Sequence, residues 1–237
     1  MFNKINLLLI FFVTLQSLSQ VKSGIVIYKV KFTFVRPKLT LAESQREIFS
    51  TMLKGDKLVE NLRPVLTFNN NISLFSPPDT PNLEYTMASI SAGCYTKIYV
   101  NLLNRKVSYY TESAGAVNDV NEFLVENEVP KNIWTMLSET KLIDGYTCIK
   151  ATSTQKIDGE TQNLTAWFCP KLPYPFGPFG VFGLPGLILE LQTNKQLFGV
   201  DRIILSDKDL VINLPTKGKK VNNEELEKII KDRMDKL

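Results

Sequence analysis

The chain has no histidine among its 237 residues. That absence excludes Ser-His-Asp and Cys-His hydrolases, zincins and haem proteins with an axial imidazole, because each needs that ring as base or ligand. Cysteine is scarce: the three present are one short of the four Cys or His ligands of a structural zinc site. No metal and no cofactor is expected. The net charge of +4 is too small to be the electrostatic footprint of a nucleic-acid binder. No glycine-rich loop opens a helix, so no phosphate cradle is expected. What is present is ordinary for a globular protein, 44% hydrophobic and 22% charged, which excludes disordered and collagen-like chains.

The N-terminus reads as a secretory leader. Lys4 supplies a positive charge, 5–15 is apolar, and Ser17 and Ser19 put small residues where a signal peptidase reads. An apolar stretch of that length is shorter than the roughly 20 residues needed to span a bilayer, so residues 1–19 are expected to be a signal peptide cleaved after Ser19. No cysteine follows to carry a lipid anchor. Residues 20–237 are expected to form one β-rich domain, periplasmic or secreted, with no membrane span. As an exported protein it folds where disulfides persist.

Strands dominate the remainder of the chain. Gly24 to Val35 alternates Val26, Tyr28, Val30, Phe32 and Phe34 against a mixed face, the period-two pattern of a half-buried strand. Further strands are expected over 65–69, 95–102, 106–111, 122–126, 133–138, 184–192 and 196–206, separated by Asn, Gly, Pro and Ser clusters. Leu41, Ile48, Phe49, Met52 and Leu53 have near-helical spacing, predicting a helix over Leu39–Lys54 that Gly55 would end. A last helix is expected after Asn222 or Asn223, with Glu224, Glu225 and Glu227 at its positive end and Lys228, Lys231, Arg233 and Lys236 later. Its apolar stripe (Leu226, Ile229, Ile230, Met234, Leu237) is expected to dock on the sheet, a membrane surface being the rival.

Asp158-Gly159 is the preferred pair for a two-residue hairpin turn. The pairing then obeys residue numbers summing to 317, so Ile157 faces Glu160, Ala151 faces Ala166, and Ile149 faces Phe168. One face carries Ile149, Ala151, Leu164, Ala166 and Phe168 and belongs to a core. Trp167 is the apolar exception on the other. The same register sets Cys148 opposite Cys169 at a non-hydrogen-bonded position, where Cα atoms lie about 4.5 Å apart, at the short edge of disulfide geometry. A Cys148–Cys169 disulfide is therefore expected, leaving Cys94 as a buried free thiol.

From Pro170 to Gly186 the composition changes to five prolines and four glycines in seventeen residues, a density that no helix or strand survives. Tyr174, Phe176, Phe179 and Phe182 between them suggest a loop packed by aromatic rings. It either closes one end of the core or forms the lip of an apolar ligand cavity.

The segments Ile143-Asp144-Gly145-Tyr146-Thr147-Cys148-Ile149-Lys150-Ala151, Ala166-Trp167-Phe168 and Gly183-Leu184-Pro185-Gly186-Leu187-Ile188 resemble the GLPGLI family of exported Bacteroidetes proteins. Trp134, Glu139 and Lys141 fit that family's approach to the Gly-Tyr-x-Cys segment, and the resemblance covers about 133–205. It implies little about activity, since the family is of unknown function. It also looks like the periplasmic lipoprotein-carrier type of fold, which implies a mainly β, α+β architecture: a curved antiparallel half-barrel wrapped around an early and a terminal helix.

The expected function is a non-enzymatic envelope protein that binds a hydrophobic ligand or lipid, with Trp167, Tyr174, Phe176, Phe179 and Phe182 as contacts. The alternative is a structural partner of an outer-membrane complex. A carboxylate-based hydrolase is the third reading, and Asp144, Glu139 and Glu190 are the acids it would use.

Overall fold

A computed structural model describes residues 21–33, 50, 52–114, 120–129, 133–157 and 160–235. The expected leader, most of the expected early helix and the Asp158-Gly159 turn lie outside the described residues. In strand β1 (Ser23–Phe32) the alternation seen in the sequence becomes a face: Val26, Tyr28 and Val30 are buried, while Lys29 and Lys31 are exposed. Side chains along a strand point to opposite faces in turn, so only one face can enter the core.

Strands β2 (Val65–Asn69) and β3 (Ile72–Ser76) form the next hairpin. The Asn69 carboxamide accepts the Asn71 and Ile72 N–H groups at 3.0 and 2.8 Å, fixing the turn. Helix α1 (Leu83–Ser91) comes next, with Asn82 as its cap. The chain then runs through β4 (Ile98–Asn101), β5 (Lys106–Ala114), β6 (Val120–Glu128), β7 (Thr135–Ile143), β8 (Tyr146–Ile157), β9 (Glu160–Cys169), β10 (Leu187–Gln192) and β11 (Gln196–Ser206). Strand β12 (Lys219–Val221) and helix α2 (Asn223–Met234) complete it.

All twelve strands join one curved, unclosed sheet in the order β12-β6-β5-β4-β3-β2-β1-β11-β10-β9-β8-β7. Two meanders, β1 to β6 and β7 to β11, share the β1–β11 pair at the centre. Consecutive strands β6 and β7 thus stand toward opposite ends of the sheet, and a seam stays open between them. The sheet is mixed rather than purely antiparallel, because β12 pairs with β6 in parallel. Gly218 permits that pairing: a Cβ there would come within 2.8 to 3.1 Å of the β6 backbone.

The early helix also differs from expectation at its end. Residues 52–56 are helical, so Gly55 lies inside the helix and does not terminate it. Its missing side chain lets the segment press on α1, where a Cβ would meet Ala88 N at 2.9 Å and Glu84 O at 3.1 Å. Helix α2 docks on the sheet through Leu226, buried against Phe123, Val125 and Val221, with Ile229 packed beside it, while Ile230 of the expected stripe is exposed. Asn222 and Glu225 form a reciprocal capping box at its start.

The β8–β9 ladder has the expected register, with Ile149↔Phe168, Ala151↔Ala166 and Ile157↔Glu160 paired. Ala151, Leu164, Ala166 and Phe168 are buried, and Ile149 is half-buried. The expected disulfide, however, is absent. Cys94, Cys148 and Cys169 are all free and buried. The reason lies where the ladder stops. The β8–β9 ladder ends at Ile149↔Phe168, one pair short of the cysteines; beyond it Cys148 pairs with Lys141 of β7 and Cys169 with Leu187 of β10. The Cys148 thiol turns to the Tyr146 carbonyl, donating at 3.6 Å.

Candidate functional site

The aromatic loop enters the core. Tyr174 and Phe176 are buried, with Tyr174 packed on Phe68 at 4.6 Å between ring centroids. The Tyr174 hydroxyl donates to Val21 O across the chain. Phe179 is wedged between Phe198 and Phe75, at 4.6 and 5.6 Å. It holds a left-handed backbone, φ 56°, which costs a non-glycine residue about 1–3 kcal/mol and persists only where the surroundings enforce it. Its ring contacts supply that enforcement.

The 183–188 segment is what threads this loop back into the sheet. Gly183 takes φ 96°, and its N–H donates to Pro175 O at 3.0 Å. Gly186 rides directly on β9, where a Cβ would lie 2.2 Å from Cys169 O. Leu184, Leu187 and Ile188 are buried, while Pro185 is exposed. Leu187 and Ile188 donate their N–H groups to Leu172 O and Phe176 O, at 2.8 and 2.9 Å. A bulge inserts Leu189 between Ile188 and Glu190, so three consecutive apolar side chains are buried where strict alternation would bury every second one. The buried Tyr28 hydroxyl closes the arrangement by donating to Ile188 O at 2.7 Å. Burial pushes the Tyr28 phenol well above its ordinary value, so it stays a donor.

Beside this loop lies a cleft of about 790 Å³, in the range of small-molecule sites. Phe179, Val181 and Phe182 contribute its floor, and Ile98, Val107 and Tyr109 one wall. Tyr95 and Thr96 come from the segment after α1, Gln155 from β8, and Asn222, Asn223, Glu224 and Leu226 from the start of α2. Lys106, Glu126, Asn127 and Glu128 mark the β5–β6 side. The cleft therefore has walls from both arms of the sheet. Trp134, at the entrance to β7, donates its indole N–H to Phe182 O at 3.1 Å and ties that strand to the floor.

Polar groups around the cleft bond chiefly to one another. Asn127 and Asn223 pair reciprocally: Asn127 Nδ2 donates to Asn223 Oδ1 at 3.0 Å, and Asn223 N donates to Asn127 Oδ1 at 3.1 Å. The Tyr109 hydroxyl also donates to Asn223 Oδ1, at 3.0 Å. Lys106 pairs with Glu128 at 2.9 Å and Lys220 with Glu126 at 3.5 Å. The Lys106 hydrogen bond holds the Glu128 carboxyl below its ordinary range. Much of this polar lining is thus bonded within the protein, and Ile98, Val107, Val181 and the aromatic rings set apolar surface beside it.

Of the aromatic contacts expected from sequence, Phe179 and Phe182 reach the cleft, while Tyr174 and Phe176 are enclosed in the core. Trp167 lies on the other face of the sheet from Ala166 and Phe168, under Lys141 and Lys150, whose Nζ atoms stand 4.8 and 5.8 Å from its ring centroid. Those lysines pair with the candidate acids: Lys141 with Glu190 at 2.7 Å, and Lys150 with Glu139 at 3.0 Å. Asp144 sits in the β7–β8 turn at φ 48°. Sequence reasoning missed Tyr95, Ile98, Val107, Tyr109 and Asn127. No local pattern marks them, because the cleft exists only once β4 to β6 meet the loop and α2. Asn222, Asn223, Glu224 and Leu226 carried a signal, but as the start and apolar stripe of a helix and not as part of a site.

Among the described residues, no group of three or more Cys, Asp or Glu could hold a metal ion, and no helix is long and apolar enough to cross a membrane. Residues 158–190 match the sequence profile of a family described as a protein of unknown function, Porph_ging. That span holds β9, the aromatic loop and the 183–188 segment. No curated protein matches the chain. Among solved structures, PNGF-II in two crystal forms is similar, with TM-scores of 0.52 and 0.51 at 13% and 12% identity over 90% of this chain. The chain spans about a third of those proteins' length, 34% and 33%. At that identity the likeness is one of fold.

Proposed function

We propose that this chain is an exported, non-catalytic binding protein of the bacterial envelope whose cleft receives the apolar part of a small amphiphilic ligand. The observation that carries the reading is the cleft itself. Its floor is Phe179, Val181 and Phe182, and its polar rim is largely bonded to itself. We place the chain with the GLPGLI proteins, whose hexapeptide stands at 183–188 inside the profile-matched span. The leader-like N-terminus supports export.

A catalytic reading has less support. Glu139 and Glu190 are each committed to a lysine on the opposite face of the sheet from the core, and the chain lacks histidine. The role of envelope partner has one favourable observation: Ile133, Met136 and Leu142, in or beside edge strand β7, are 81%, 59% and 72% exposed, and such apolar surface marks contact sites.

The test is a titration with N-phenylnaphthylamine, an uncharged apolar fluorophore. Saturable binding at one site per chain, displaced by a long-chain amphiphile and weakened by Val107→Gln, is expected. Circular dichroism of the variant shows whether its fold is kept. Linear, non-saturating fluorescence would overturn the reading.

A further inference from the structure

We infer that Phe179 sets the length of apolar chain the cleft accepts: its ring closes the inner end of the site, held there by a strained turn. This rests on the reading of the cleft as an apolar-ligand site. Three observations carry it.

The first is where the ring stands. Phe179 lines the cleft and is half-buried. Its ring packs on Phe198 and Phe75, at 4.6 and 5.6 Å between centroids, and those two rings meet each other at 6.1 Å. Both are fully buried, and neither lines the cleft. Phe179 is thus the ring that separates the cleft from the apolar core behind it. On a further side it comes close to Gly93, where a Cβ would lie 3.5 Å from the ring.

The second is the turn that carries it. Phe179 and Gly180 both take left-handed backbone, φ 56° and 67°, and the Val181 N–H donates to Pro178 O at 2.9 Å. Two consecutive left-handed residues under such a bond form a type I′ turn, whose first central position favours Asn, Asp or Gly. Gly180 suits its place and Phe179 does not. Strain of this kind collects at ligand clamps and active sites, and here it is borne by a side chain that faces the cleft.

The third is that the loop around the ring is fixed. Gly180 presses on β4, where a Cβ would lie 2.7 Å from the Ile98 side chain. The Phe182 carbonyl accepts the Trp134 indole N–H, and the Gly183 N–H donates to Pro175 O. With the backbone held on both sides, what stops a longer guest is the Phe179 side chain itself. Beyond it lies more apolar surface, that of Phe75 and Phe198.

The test is a series of uncharged alkyl maltosides, hexyl to tetradecyl, each competing against N-phenylnaphthylamine on the purified protein below its micellar concentration. On the parent, affinity should rise by about fourfold per methylene and then level off, because carbons that would pass the Phe179 ring gain no further burial. Phe179→Ala should move that plateau to chains longer by about two to four carbons, the room the ring leaves. Val107→Gln, on the wall, should weaken the whole series and leave the plateau in place. Phe179→Leu keeps apolar contact with Phe75 and Phe198; it should move the plateau by less, and it decides the matter if circular dichroism shows the alanine variant unfolded. A plateau at one chain length in the parent and every folded Phe179 variant, or a parent affinity still rising at tetradecyl, overturns the inference while the apolar site stands. If no maltoside competes, the apolar site itself fails, and the inference with it.

Discussion

Replacing Gly186 by alanine puts the role of the 183–188 segment to a quantitative test. The new Cβ would lie 2.2 Å from Cys169 O, 2.6 Å from Cys169 C and 3.0 Å from Pro170 N. All three atoms are backbone, so no rotamer change relieves the clash, and the Leu187↔Cys169 pairing would have to open by about 1 Å. Overpacking costs about 1–3 kcal/mol where side chains can yield. Here a strand must move, and the expected loss is at the top of that range, about 3 kcal/mol. For a domain of this length each kcal/mol lowers Tm by about 2–4 °C, giving a drop of about 6–12 °C. Gly183→Ala, at φ 96°, should cost about 1–2 kcal/mol through backbone strain. Gly199→Ala in β11, with nothing within 4 Å of its Cβ, should stay within about 0.5 kcal/mol of the parent. Thermal melts of the three variants, with urea midpoints as a check, give the order. A Gly186→Ala protein that melts within about 1 °C of the parent would refute the close-approach argument.

The same contacts set further outcomes. Burial pushes the Cys94 and Cys148 thiols up to about 12, so a thiol reagent at neutral pH should label the native protein slowly. In denaturant without reductant it should count three free thiols, and a disulfide-linked peptide under those conditions would contradict the structure. The hydrogen bond from Lys29, with Arg63 also contributing, holds the Asp201 carboxyl below its ordinary range. A lowered folded-state value means stability present above the unfolded value of about 3.9 and lost as pH falls through the folded one. The Tm gap between parent and Asp201→Asn should therefore be open at neutral pH and close in acid; a gap that widens in acid would be inconsistent with the ion pairs. In β1, Tyr28→Phe removes the donor to the buried Ile188 carbonyl and should cost about 1–3 kcal/mol in urea unfolding. An unchanged midpoint would mean that this carbonyl finds another donor.

Much of the fold is legible because strands announce themselves locally. The alternation of Val26, Tyr28 and Val30, and the register set by Asp158-Gly159, are properties of neighbouring residues, and both reappear in the sheet. Asn222 likewise marks α2 because a cap is a one-residue signal. Helix α1 carries no comparable signal: it is short, and although Asn82 caps it, Leu83 and Ile90 are largely exposed, so no buried stripe announces it. Strand β12 is three residues that pair only because Gly218 lets them approach β6. The disulfide misleads for a related reason. The hairpin register sets the cysteines opposite one another, but the β8–β9 ladder ends at Ile149↔Phe168, one pair short of them, and the hairpin's own residues do not mark that end.

The candidate site is least legible of all. Tyr174, Phe176, Phe179 and Phe182 share one loop and one chemistry, and only the folded chain separates Tyr174 and Phe176, enclosed in the core, from Phe179 and Phe182, which line the cleft. Trp167 resembles a ligand contact because it breaks a polar face. Lys141 and Lys150 over its ring, with Glu190 and Glu139 paired to them, give that exception a structural account.

The central claim, that the cleft between the two arms of the sheet is the ligand site, is tested most directly by photolabelling. An alkyl diazirine amphiphile, irradiated with the native protein and mapped by peptide mass spectrometry, should label the stretches holding Tyr95 to Val107 and Phe179 to Phe182, and excess unlabelled amphiphile should abolish that labelling. Labels confined to the exposed side chains Ile133, Met136 and Leu142, with the cleft untouched, would contradict the account and identify edge strand β7 as the contact surface.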